Sequence, residues 1–376
     1  VEVPDYGGGG INSVPNALLA HFGLSPRGPQ FRFGLGLSSR RVALVLLDGL
    51  GFNLFAKIAG NYAGSFRGVY RITTVFPSTT ASTLTTLSTG LTPCQHGVVA
   101  WSFYLKEAGA VIDALAMSPM LGERDGLNNA GYDLKALFNA PTAFADLSRA
   151  GVKTLAFLPR GLNGGISRIL YDGAEVFDYV SHYDALINAG RLLRQNDSAL
   201  AYIYISTIDS VEHRYGPRSD EAAAAADGLL NDVLRLARRH MEGADILITA
   251  DHGHEEIQRN EDLSKDADLL RALAVPPFGD PRALYLKASA GARDLGELLS
   301  KHGEFQLMSR EEAVETGLLG PCEGRFADRL GDYVALPGRG LAAMYLYKRR
   351  NEDPLKFKGH HGGLTEDELY VPLIIV

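Results

Sequence analysis

Two cysteines and a single tryptophan are found among 376 residues. Cys94 and Cys322 can make one bridge at most and no disulfide framework, and so small a supply leans towards a reducing compartment. A basic excess is also missing: 37 lysines and arginines face 44 aspartates and glutamates, for a formal net charge of −7. That excludes the broad positive field that duplex nucleic-acid binding requires. The longest hydrophobic runs, such as Val42–Leu47 and Asp245–Ala250, are strand-sized, well short of the roughly 18–20 residues that cross a membrane as a helix. Val1-Glu2-Val3-Pro4-Asp5 has neither the basic start nor the apolar stretch of a secretory signal, and the absence of an initial Met leaves residues upstream open. A soluble, cytoplasmic protein without a membrane span is expected.

What is present is a globular composition, 46% hydrophobic and 22% charged. Arg41–Leu47, Lys153–Leu158, Ala199–Ser206, Ala244–Ala250 and Val371–Val376 read as strands buried on both faces. Ala143–Ala150 reads as a helix, and Glu221–Met241 carries Leu229, Leu230, Val233, Leu234 and Ala237 at helical spacing. Strands alternating with helices predict a three-layer α/β/α sandwich around a mostly parallel sheet. Residues 257–354 differ. Prolines 276, 277, 281, 321 and 337 break the pattern, and short strand candidates (Ala283–Lys287, Ala342–Tyr347) flank a helical Ala292–His302. This segment reads as a smaller accessory lobe inserted before the last strand, within one domain whose core is 40–256 plus 355–376. Asn16–Phe22 reads as a short helix. Gly7–Gly10 reads as a flexible loop, since it has neither the spacing nor the lysine of a phosphate-binding loop.

Ligands of such sheets sit beyond the carboxyl ends of the strands, and three of the runs lead into Asp48, Asp209 and Asp251. Phe76-Pro77-Ser78-Thr79-Thr80 leads into a stretch where Leu84 and Leu87 are three apart and Gly90 suits a helix C-cap. Thr80 then lies near a helix N-terminus, where free N–H groups favour an alkoxide or a phosphate. Alone, the segment reads equally as a Ser/Thr capping stretch. Asp209 and His213 are one helical turn apart, which alone suits a surface ion pair. Asp251-His252-Gly253-His254 offers carboxylate and imidazole donors of the kind zinc takes, and Gly359-His360-His361-Gly362-Gly363 adds imidazoles flanked by glycine. Together these make two carboxylate/histidine sets with a hydroxyl between them, costly to bury together without cations.

The ordered pieces resemble the alkaline phosphatase superfamily, most closely its type I phosphodiesterase/nucleotide pyrophosphatase branch. They are Leu-Leu-Asp48-Gly, Phe-Pro-Ser-Thr-Thr80 with Ser-Thr-Gly-Leu-Thr-Pro-Cys-Gln-His96-Gly, Ile-Asp209-Ser-Val-Glu-His213, Thr-Ala-Asp251-His252-Gly and Gly-His-His361-Gly-Gly. The resemblance implies an alkaline-phosphatase-like fold and a hydrolase of phosphate diesters or nucleotide pyrophosphates, acting on a small-molecule ester with two divalent metal ions, zinc first and manganese second. Carried over by position, one ion takes Asp209, His213 and His361, and the other takes Asp48, Asp251, His252 and the Thr80 oxygen. The resemblance makes Thr80 the nucleophile of a phosphothreonine intermediate, with Thr79 as fallback, and selects His361 over His360. His254 is left as a supporting or surface residue.

Trp101 falls where nucleotide pyrophosphatases commonly carry an Asn whose amide can meet a phosphate oxygen, which makes it the candidate substrate contact. Trp101, Phe103 and Tyr104 could stack on an aromatic group or pack in the core. Sulfatases are set aside because neither Cys94 nor Ser78 begins their x-Pro-x-Arg pattern. Cofactor-independent phosphoglycerate mutases need a large domain, and only 129 residues separate Thr80 from Asp209. A phosphomonoesterase using Arg160 or Arg214, a phosphonoacetate hydrolase-like enzyme and a non-catalytic metal- or phosphate-binding protein remain as alternatives.

Overall fold

Each of the five apolar runs forms a strand of one central sheet, and two further strands join them. In the computed structural model, which describes all residues except 1, 293, 323 and 348–351, these strands are β1 Arg41–Leu47, β2 Gly68–Thr73, β3 Lys153–Pro159, β4 Glu175–Tyr179, β5 Ala199–Ile205, β6 Asp245–Thr249 and β7 Tyr370–Ile375. Their order is β2-β7-β6-β1-β5-β3-β4. β1 runs parallel to β5 and β6, and β3 runs parallel to β4 and β5. Only β7 opposes its neighbours. β5 and β6 are buried throughout, as their unbroken apolar character demands. The two strands without an apolar run, β2 and β4, are the sheet edges, and both are partly exposed.

Helices cover the sheet in two groups. Helices α2 (His182–Arg194), α3 (Thr207–Tyr215) and α4 (Asp220–His240) pack together, while Ser13–His21, α1 (Thr80–Thr89) and Ala143–Arg149 form the other group. The result is the α/β/α sandwich that the alternation of elements implies. Helix α1 is rich in threonine, a modest helix former, yet Ala81–Thr89 are all buried. Several of its hydroxyls are satisfied by backbone carbonyls, although that of Ser82 has no partner. Thr85 and Thr89 donate to the carbonyls four residues back, each at 2.7 Å, and Thr83 donates to the Asp251 carbonyl at 3.1 Å. The helix therefore docks on the end of β6, and Gly90 closes it with φ 74°.

Gly7–Gly10 is not a free loop. Thr73 N–H donates to the Gly9 carbonyl at 3.1 Å and Ile11 N–H donates to the Thr73 carbonyl at 2.8 Å. A Cβ on Gly10 would lie 2.4 Å from the Asp5 carbonyl oxygen, so only glycine allows this close approach. Cys94 and Cys322 form a disulfide with Cα atoms 5.0 Å apart. This is the one bridge that the cysteine count allows.

Within 257–354, Phe278–Asp280, Ala283–Leu286, Phe305–Ser309 and Tyr333–Pro337 form a separate four-stranded antiparallel sheet. It has its own apolar cluster, including Leu269, Leu284, Leu298 and Leu299. The expected helix narrows to Leu295–Ser300, and the second strand candidate is Leu341–Met344, paired with Arg259–Asp262. Arg282 bolts this sheet to the main body. It is 2% exposed and meets Glu368 through two nitrogens at 3.1 and 3.2 Å, while its third nitrogen donates to the carbonyls of Pro337, Gly338 and Leu341. Glu368 in turn accepts the Gly363 N–H at 2.9 Å, which holds the glycine-flanked loop carrying His361.

Candidate active site

Register brings the acidic residues together. Leu47 pairs with Ile205, and Leu46 pairs with Thr249, so β1, β5 and β6 end level with one another. Asp48, immediately after β1, and Asp251, two residues after β6, are therefore neighbours. The Asp209 N–H donates to the Asp48 carbonyl at 3.0 Å, and the Gly49 N–H donates to Asp251 Oδ1 at 3.1 Å. Thr80 opens α1, where unpaired N–H groups face outward.

Two donor sets result, Asp48/Asp251/His252 and Asp209/His213/His254/His361, each with ligand atoms within 4.8 Å of one another. In the first set, His252 Nε2 lies 3.5 Å from Asp48 Oδ1, 3.4 Å from Asp251 Oδ2 and 3.1 Å from Thr80 Oγ1. Asp48 Oδ1 and Asp251 Oδ2 are buried with no hydrogen-bond partner. Burial, then Asp251 and Asp209, pushes the Asp48 carboxyl well above its usual range, and the Tyr204 hydroxyl donates to its other oxygen. Two buried carboxylate oxygens without donors, aimed at one imidazole nitrogen and one hydroxyl, are the arrangement a cation satisfies.

In the second set, Asp209 Oδ1 is 3.3 Å from His213 Nε2, 2.9 Å from His254 Nε2 and 3.9 Å from His361 Nε2. The tautomers can be read from the other ring nitrogens. His213 Nδ1 donates to the Gly359 carbonyl at 2.8 Å, and His361 Nδ1 donates to the Ser78 carbonyl at 3.0 Å. A carbonyl only accepts, so Nδ1 carries the proton and each Nε2 turns a lone pair to the site, as a metal-ligating histidine does. His252 follows the same rule through the Gly253 carbonyl at 3.2 Å.

His254 does not. Its Nδ1 has no partner and its Nε2 faces the Asp209 carboxylate, so it reads as a donor that orients Asp209. Burial lowers its pKa to about 3, which keeps it neutral. Burial, then His252, His254 and His213, likewise holds His361 well below the usual histidine value. Despite burial, which acts the other way, His213, His254 and His361 hold Asp209 well below the carboxylate range. The rings of His252 and His361 stack with centroids 3.6 Å apart, so the two sets adjoin.

Six of the seven residues expected as ligands fall in the two sets, and the seventh, Thr80, places its Oγ1 beside the first set. Family comparison agrees with the geometry. The pattern described as type I phosphodiesterase / nucleotide pyrophosphatase matches residues 42–364. The chain belongs to the type I phosphodiesterase/nucleotide pyrophosphatase family. It is a phosphoric ester hydrolase of the alkaline phosphatase superfamily. Among solved structures, murine ectonucleotide pyrophosphatase/phosphodiesterase 5 is similar at 18% identity and TM-score 0.68, over 89% of this chain and 87% of that chain. The human protein of the same name is similar at 19% identity and TM-score 0.68, with the same coverage. An inactive threonine-to-alanine variant of the murine protein in complex with AMP gives 18% identity and TM-score 0.67, again over 89% and 87% of the two chains. At these identities the likeness speaks for the fold.

A cavity of about 540 Å³ opens in front of this phosphodiesterase-family centre. It is lined by Thr79, Thr80, Asp209, His213 and His361 on one side and by an apolar bay including Met120, Met344, Tyr347 and Phe357 on the other. Trp101 lines it as well. Phe103 does not: it is fully buried against Phe138. Tyr104 packs under Lys287 instead. Arg160 and Arg214 are exposed and, like every other described lysine and arginine, absent from the lining. His360 stands in the cavity wall beside His361, with Nε2 3.4 Å from the Pro354 carbonyl.

Several contributors are invisible to motif reading. The carbonyls of Ser78 and Gly359 carry no side-chain signal. Tyr204 looks like any aromatic residue in a buried strand. Glu212, 1% exposed and pushed well above the carboxylate range by burial and then by Asp209 and Asp251, sits 3.7 Å from His254. Its place one residue before His213 is the only signal it gives.

Proposed function

We propose that the protein hydrolyses phosphate diesters through a covalent intermediate on Thr80, assisted by two divalent cations, zinc first and manganese second. Asp48, Asp251, His252 and Thr80 Oγ1 would hold one cation, and Asp209, His213 and His361 the other, with His254 orienting Asp209. The observation that carries this reading is the convergence of Thr80 Oγ1, His252 Nε2 and the two partnerless oxygens of Asp48 and Asp251. The cations, when bound, lower the pKa of the hydroxyl and neutralise charge on the phosphoryl group.

The chain's own residues set the rest. Thr80, at the positive end of α1, presents Oγ1 to phosphorus. The Oγ1–P bond forms as the bond to the leaving oxygen breaks. Water then attacks the same phosphorus, releasing a phosphate monoester and restoring the Thr80 hydroxyl. The murine protein whose threonine-to-alanine variant is inactive offers a precedent for an essential threonine.

Diesters are favoured over monoesters by one feature of the cavity. Among the described residues no lysine or arginine lines it, so none of these meets the second negative charge of a monoester. The test is turnover of a chromogenic diester beside its monoester by protein stripped of metal and then given zinc or manganese. Metal-dependent turnover favouring the diester is expected. Preference for the monoester would move the assignment to a phosphatase, and two bound ions with no turnover of either would leave phosphonate cleavage or a non-catalytic binder.

A further inference from the structure

The accessory sheet reaches into the cavity with one carboxyl group. Asp280 ends the strand Phe278–Asp280, is 2% exposed, and lines the cavity beside Thr79, Thr80 and Trp101. Its Oδ2 accepts the backbone N–H of Trp101 at 3.1 Å, and the Thr79 hydroxyl donates to the same carboxyl. Asp280 is therefore fastened to the backbone of Trp101, in the same cavity wall as Thr79 and Thr80.

Among the described residues no lysine or arginine forms an ion pair with it. The guanidinium of Arg282, two residues on, is committed to Glu368 and to the carbonyls of Pro337, Gly338 and Leu341. An ionised carboxylate at this place would repel a phosphate anion, whereas the neutral acid donates a hydrogen bond to it.

We propose that Asp280 is a substrate-contacting residue whose carboxyl proton is donated in a hydrogen bond to a non-bridging phosphoryl oxygen. The proposal rests on the phosphodiesterase reading above. Burial pushes the Asp280 carboxyl up to about 7, which Glu368 reinforces and the Thr79 hydroxyl, the Trp101 N–H and His252 oppose. Tyr285, on the adjacent strand, faces it as a neutral phenol, its own pKa raised by burial and then by Asp280. Two divalent cations set against the carboxylates of Asp48, Asp209 and Asp251 leave one positive charge, which a bound diester anion cancels. The filled site therefore keeps the acid near the balance that burial sets.

The experiment compares zinc-loaded wild type with Asp280→Asn and Asp280→Ala, measuring kcat and KM for a diester that does not itself titrate between pH 5.5 and 9. The donor form is lost as pH rises, so wild-type kcat, which reports the filled site, should fall about tenfold per pH unit above about pH 7. Asp280→Asn keeps a donor that cannot ionise. It should lie within about tenfold of wild type at pH 6 and lack that alkaline limb. Asp280→Ala should lose about a hundredfold, mainly in kcat. An alkaline limb unchanged in Asp280→Asn would mean that the carboxyl only braces the Trp101 backbone and would overturn the proposal, as would an alanine variant within twofold of wild type.

A second measurement separates this from failure of the phosphodiesterase reading. Inorganic phosphate binding to zinc-loaded Thr80→Ala should weaken about tenfold when Asp280→Ala is added, whether or not any ester is turned over. Unchanged phosphate affinity would also overturn it.

Discussion

Thr80→Ala should lower kcat for a phosphate diester by about a thousandfold or more while the chain still binds two metal ions. The reason is geometric. Thr80 Oγ1 is the hydroxyl placed 3.1 Å from His252 Nε2, at the first residue of α1. Alanine removes the attacking oxygen but leaves Asp48, Asp251 and His252, fully or almost fully buried on strand ends, to hold their cation. Steady-state kinetics with metal content measured on the same sample checks both halves. A variant retaining more than a tenth of wild-type activity would remove Thr80 from the nucleophile's place. Thr79→Ala would then decide whether its neighbour, which also lines the cavity, attacks instead.

Chelation should destabilise the protein by several degrees in Tm, and re-addition of zinc should release protons. Binding at a free metal concentration a thousandfold above Kd is worth about 4 kcal/mol. Asp48 is one source of protons, its carboxyl being held well above the usual range by burial and then by Asp251 and Asp209. His361, held low, is already neutral and contributes none. The sign of the pH dependence follows. In the metal-free fold Asp48 keeps a proton that the unfolded chain has lost, so the stability it contributes is present in acid and drains as pH rises through its folded value. The gap in Tm between metal-loaded and stripped protein should therefore widen with rising pH. Calorimetry in two buffers of different ionisation heat counts the protons, and thermal melts give the gap. No proton release together with an unchanged Tm would mean that the two donor sets hold no ion.

The sheet's centre was legible because β1, β5 and β6 are covered on both faces, which forces unbroken apolar runs. β2 and β4 escaped because an edge strand keeps polar side chains on its open side, and their alternation over five or six residues is too short to stand out. Among the candidate ligands, Asp48, Asp251 and His252 stood out as residues following strands, His213 as one helical turn from Asp209, Thr80 as a helix start and His361 by its flanking glycines. Their supports did not. The carbonyls of Ser78 and Gly359 that set the histidine tautomers belong to the backbone. Asp280 meets Trp101 across 179 residues of chain, and Cys94 meets Cys322 across 228. Pairings of that kind depend on tertiary packing, for which no local spacing rule exists. Phe103 illustrates the converse: three aromatic positions in four suggested a stacking platform, yet strand alternation turns Phe103 into the core.

The proposed reaction turns on a covalent bond from Thr80 to phosphorus. Rapid acid quench of metal-loaded enzyme with a chromogenic diester, followed by mass spectrometry of the peptide containing Thr80, tests it directly. This peptide should gain the mass of the aryl phosphoryl group during the burst that releases the first aryl alcohol, and the adduct should disappear as the monoester product forms. A burst-free time course with the Thr80 peptide unmodified, or the added mass on any other residue, would contradict it.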